Sequence, residues 1–318
     1  MTQNLAQYKQ RKPFIQEKID TLNREFDVVR TEIELECKKN DFKNNEVTIS
    51  EKFLNLSKII NNVDKARVEL QKAKLKTGKT IKECVKLAKI NFDISKAVIK
   101  EDEADVKESK AYHKVDEIET GIGDAVTDEN RVKLAKADVE LAKARLEKSV
   151  AKIKSMNLIL KRIRVQTDAV KTKGEDVIVY MINHEKLDIN KLAKNEYVAQ
   201  AKSDIDKSKS DIGKYEHDLK VAKANVELRK NEVKNGKTIK EYVKLVKLEL
   251  AIAKNNVKWS KVSLKVAESS VKLDEIITRI WAKTGGVATD ENHAEEKNSI
   301  DLNKLKKPLP ALSSVKSI

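Results

Sequence analysis

Two short fragments come closest to a chemical motif. Gly78-Lys79-Thr80 and Gly236-Lys237-Thr238 resemble the end of a phosphate-binding P-loop. That loop cradles phosphate with backbone N–H groups, and it needs an earlier glycine on a segment that follows a strand. Ala73 and Asn231 stand where that glycine would be, each inside a helical pattern. The fragments therefore read as helix-hairpin turns, not as a nucleotide site. The four histidines (His113, His184, His217, His293) are scattered, with no pair at metal-ligand spacing. Cys84 is replaced by Tyr242 in a second, homologous stretch, so that position needs no thiol, and a nucleophile would also require a partnered base. Adjacent acids such as Glu101-Asp102-Glu103 are plentiful, but a general acid needs a desolvated cleft that thin helices rarely form. The expectation is no catalytic residue, no cofactor, no metal and no enzyme.

The elements that carry these residues are long helices. Of 318 residues, 37% are charged and 4% aromatic, with only eight glycines and three prolines. A β-sandwich or α/β enzyme of this length needs more turn residues. The apolar content of 40% is too high for simple disorder. Apolar residues recur at three- and four-residue steps, as in Val132, Ala135, Val139, Ala142, Leu146, and in Ile239, Val243, Val246, Leu250, Ala253, Val257. Such a seam belongs to a coiled coil or a long bundle. The spacing predicts helices at about 14–46, 49–77, 80–120, 128–173, 187–235 and 238–283, with residues 1–12 loose.

The most specific signal is an internal repeat. Residues 63–89 and 221–247 share 18 of 27 aligned positions. The register continues to Lys114–Ile118, which matches Lys272–Ile276. Four extra residues then enter the second copy before Thr127-Asp128-Glu129-Asn130 matches Thr289-Asp290-Glu291-Asn292. Each copy holds a hairpin turn with legible punctuation. Gly78 and Gly236 can take the left-handed conformation that ends a helix. Thr80 with Glu83, and Thr238 with Glu241, form capping boxes that start the next one. Thr48 with Glu51 gives the same start signal. The expected fold is all-α: an elongated bundle of long antiparallel helices built from two tandem hairpin units. Residues 1–130 form the first repeat, 131–292 the second with a basic connecting helix at 131–173, and 293–318 a flexible tail.

Charge is segregated between neighbours. Residues 101–130 hold eleven acids against three lysines, and residues 131–173 hold thirteen Lys/Arg against four acids. The second helix should fold back beside the first and offer Arg131, Lys133, Lys136, Lys143 and Arg145 to it. The chain carries a formal charge of +15. Few aromatics and a diffuse spread of lysines argue against nucleic acid as a partner. An anionic membrane surface remains an alternative.

No signal peptide or bilayer-length apolar run is evident, which predicts synthesis in the cytosol and leaves leaderless secretion open. The last long helix gathers both tryptophans with a dense apolar end. Trp259, Leu264, Val271, Ile276, Ile277, Ile280 and Trp281 form the candidate face for a partner or a membrane. The expected function is a non-enzymatic scaffold that associates with itself or with another helical protein. The gross architecture also resembles α-helical pore-forming toxins and their soluble components, although the hydrophobic tongue of the typical member is missing.

Overall fold

A computed structural model describes residues 2–38, 42–122, 127–185, 187–188, 191, 194–236 and 238–283. Among them are seven helices and no strand: α1 (Thr2–Lys38), α2 (Phe42–Lys76), α3 (Lys82–Ile122), α4 (Asp128–Lys173), α5 (Glu175–Glu185), α6 (Glu196–Lys234) and α7 (Lys240–Lys283). The tail expected at 293–318 lies outside the described residues. The longest helix, α4, has 46 residues and so runs about 69 Å at 1.5 Å per residue.

Among the described residues the long helices pack mainly on their neighbours, in the order α1, α2, α3, α4, α7, α6. Side-chain bonds fix the directions. Asn61 donates to Ser95 at 2.9 Å, and the Ser50 and Ser109 hydroxyls meet at 3.0 Å, so α2 and α3 are antiparallel. Arg145 donates to Glu108 at 3.0 Å, and Arg162 reaches Asn91 at 3.5 Å, so α3 and α4 are antiparallel as well. Lys261 meets Glu216 at 2.9 Å within the α6–α7 hairpin. The contact between the two halves is different. Asn255 donates to Ser149 at 2.9 Å, and Ile277 joins Val170 in one cluster, which makes α4 and α7 parallel. The two related hairpins thus flank α4 and point in opposite directions.

The turns follow the sequence. Gly78 and Gly236 have φ of 73° and 68°, a region that costs any residue with a Cβ. Thr127 accepts from the Asn130 backbone N–H at 3.2 Å and caps α4, with Asp128 and Glu129 at the positive end of its dipole. Helices α3 and α7 begin at Lys82 and Lys240, two residues beyond Thr80 and Thr238. Thr80 instead sits in the turn and hydrogen-bonds the Cys84 thiol.

Three expectations are corrected. Residues 2–12 are helical, not loose: Tyr8 is buried, and Lys79 lies 5.2 Å from its ring centroid, which ties the start of α1 to the α2–α3 turn. Pro13 sits inside α1, where it leaves only one backbone acceptor without its usual donor. Thr48 and Glu51 do not start a helix. They lie within α2, whose Ile49 is buried, because a capping pattern in mid-helix is overridden by packing. The link near Gly174, outside the helices predicted at 128–173 and 187–235, contains an additional helix, α5. Its run Val177, Ile178, Tyr180 and Met181 is buried against α3, α4 and α7 and closes one end of the bundle.

Candidate functional site

The seam between α3 and α4 carries a cluster of partly buried charges. Lys148 of α4 bridges Asp105 and, at 3.0 Å, Glu108 of α3. Arg145 holds the other Glu108 oxygen at 3.0 Å. Burial would push the Glu108 carboxyl up, but Lys148 and Arg145 outweigh it and hold it below the usual range. Further along, Ser155 bonds Glu101 at 3.4 Å. Burial pushes Glu101 up, with Lys152 opposing.

Of the five cations offered by the sequence, only Arg145 reaches across. Arg131 pairs with Asp128 at 3.7 Å and Lys143 with Glu140 at 2.7 Å, both on their own helix. Lys133 and Lys136 line an open groove of about 1320 Å³ between α4 and the start of α7. The charge segregation is therefore used, but through Lys148 and Lys152, which lie where the helical period places them opposite Asp105 and Glu101.

Asp102 is only partly compensated. Burial raises its carboxyl from 3.8 to about 6, opposed by a hydrogen bond to Ser57 and reinforced by Glu101 and Asp105. Asp274 on α7 is raised to about 6 by burial alone. A carboxyl raised on folding leaves the protein most stable below the unfolded value of about 4 and costs stability as pH climbs through about 6. Asp102→Asn should therefore stabilise the protein at pH 7 by about 1–3 kcal/mol, taking 1.36 kcal/mol per pH unit as the conversion. The gain should fade towards pH 4, as read from chemical melts at both values.

The apolar face expected on the last helix divides. Ile277 is fully buried in a cluster with Cys84, Leu87, Ile163 and Val170, and Ile276, Ile280 and Trp281 pack against that cluster. Trp259, Leu264 and Val271 are half-buried and lie outside it. The turn residues Gly78, Thr80, Glu83, Gly236 and Thr238 mark opposite ends of the molecule, and Glu241 lines the groove.

A feature not read from the sequence lies at the two edges of the row. Among the described residues the main partner of α1 is α2, and that of α6 is α7. Phe14, Val28 and Leu35 on α1 are 72%, 58% and 56% exposed, and Val221 and Leu228 on α6 are 46% and 55% exposed. All are separated by seven residues or twice that, so each set forms one stripe along its helix. The seven-residue spacing was visible in sequence, but exposure depends on which helices end the row.

Among the described residues no cluster could hold a metal ion, and no helix is long and apolar enough to cross a membrane. Compared with known proteins, the chain matches no family model, no curated protein and no solved structure.

Proposed function

We propose that this protein is a non-enzymatic scaffold that assembles with copies of itself, edge to edge, the α1 stripe of one copy meeting the α6 stripe of the next. The observation that carries this reading is the pair of exposed, seven-spaced apolar stripes on the two helices with one main neighbour each. Single exposed apolar residues need no explanation, but aligned ones on a helix lacking a second neighbour offer a coiled-coil partner surface.

Charge favours a second copy as the occupant. A chain of +15 repels its own kind over most of its surface. The edges are close to neutral: α1 carries seven Lys/Arg against seven Asp/Glu, and α6 nine against eight. Near-neutral apolar edges let copies of a basic chain meet with little repulsion. Lys52 bridges Glu32 at 2.6 Å and Lys79 lies against Tyr8, so α1 is antiparallel to α2. Both edge helices therefore run in the same direction, and α1 and α6 of successive copies would pair in parallel. A head-to-tail contact of this kind leaves a free edge at each end and so extends to rings or filaments.

Sedimentation velocity of the full chain across a concentration series tests the reading. The expected result is mass growing beyond the dimer, reverted to monomer by Val28→Glu with Leu35→Glu. Monomer at every concentration would overturn it. The pore-forming alternative would need the face around Ile277 to leave the core, and dye release from vesicles by the native chain would favour it instead.

A further inference from the structure

The duplication also shows which surface residues the two copies share. Helices α3 and α7 are equivalent, and their middles have diverged widely. Between 90–115 and 248–273 only five of 26 aligned positions are identical. One is Ile94 with Ile252. The other four are lysines: Lys96 with Lys254, Lys100 with Lys258, Lys107 with Lys265, and Lys114 with Lys272. Their spacing of four, seven and seven residues puts them on one face of each helix. All eight are exposed. Lys82, Lys86 and Lys89 match Lys240, Lys244 and Lys247 and extend both rows towards the helix starts.

A face kept only for solubility tolerates either sign of charge, and neighbouring exposed positions behave that way. Glu103 corresponds to Lys261, and Lys110 to Glu268. The four lysines do not exchange. In α3, Lys107 bridges Glu147 at 2.7 Å, and Lys96 lies 4.3 Å from the Phe92 ring centroid. In α7, Lys254, Lys258, Lys265 and Lys272 have no acidic partner among the described residues. This helix holds ten Lys/Arg against five acids.

We infer that the lysine row of α7 is a contact surface for an anionic lipid bilayer. The row is straight, and from Lys240 to Lys272 it covers about 48 Å at 1.5 Å per residue. A flat sheet of headgroups can meet it along its whole length, whereas the spiralling backbone of a duplex meets it only where a strand crosses. The retained residues are lysines without arginine forks, which suits a diffuse negative surface better than a shaped site. No retained position on this face is an apolar anchor, so attachment is electrostatic and reversible by salt. The inference is independent of edge-to-edge assembly, since α7 lies inside the row.

The test is co-sedimentation of the full chain with phosphatidylcholine vesicles and with vesicles containing phosphatidylserine, at low and high salt. The native chain should bind only the phosphatidylserine vesicles and release in salt. Replacing Lys254, Lys258, Lys265 and Lys272 by glutamine should weaken binding about tenfold or more, given the contribution of each lysine near a charged surface. Removing the same charge from α6, by glutamine at Lys202, Lys207, Lys209 and Lys223, should change it far less. Circular dichroism checks that both variants remain folded. No binding to phosphatidylserine vesicles would overturn the inference, as would equal losses in the two variants. Duplex DNA binding that depends on the α7 row, with vesicles ignored, would also overturn it in favour of nucleic acid.

Discussion

Lys148→Met should destabilise the protein by about 2–3 kcal/mol at neutral pH, the cost of leaving partly buried carboxylates without their cation. The ammonium lies between Asp105 and Glu108, and two of these three side chains, Lys148 and Glu108, are less than a quarter exposed. Methionine keeps the length of the apolar stem, so lost packing contributes little. Glu108 is held below the usual carboxylate range, and it therefore contributes stability above about pH 4 that is lost as pH falls. The deficit of the variant should shrink in acid for the same reason. Urea melts at pH 7 and pH 4 measure both effects. An equal deficit at the two values would mean that Lys148 acts through packing alone. The pairing is not a surface decoration: unlike the exposed Lys230–Glu227 pair, it is partly shielded from the solvent that screens charge.

Ile277→Ala should cost about 2–5 kcal/mol, whereas Val271→Ala on the same helix should cost under about 1 kcal/mol. Ile277 is fully buried where α3, α4, α5 and α7 converge, beside Leu87, Val170, Val177 and Ile178. Four helices share that site, so it cannot collapse around a cavity without moving several of them. Val271 is half-buried and outside the cluster. Thermal melts of the two variants decide whether the apolar end of α7 is core or a face in reserve. Similar small losses would show that this end contributes little to the folded state.

Much of this architecture is local and therefore legible in the sequence. The bounds of α4 follow from Thr127 at one end and Gly174 at the other, and the repeat turns from Gly78 and Gly236. The acid-rich end of α3 beside the basic α4 follows from composition and a short connection. What stayed hidden depends on contacts distant in sequence. The first turns of α1 contain a proline and polar residues, and their order comes from Tyr8 meeting Lys79. The run Val177–Ile182 is apolar without a period that assigns it a partner, and α5 acquires its role from the α3, α4 and α7 side chains it covers. Most consequential is the placement of α7 between α4 and α6. No residue spacing announces it, and it decides which stripes are exposed. The five proposed edge residues differ from the candidate face on α7 for that reason alone.

Mixing two edge-blocked variants tests head-to-tail assembly most directly. One copy carries Val28→Glu and Leu35→Glu on α1, the other Val221→Glu and Leu228→Glu on α6. Each retains one intact stripe, and alone each should sediment as a monomer. Combined in equal amounts they should form a discrete pair, the intact α6 of the first copy against the intact α1 of the second, and grow no further. If the mixture stays monomeric, or if either variant dimerises alone, α1 and α6 do not recognise each other and the head-to-tail account is wrong.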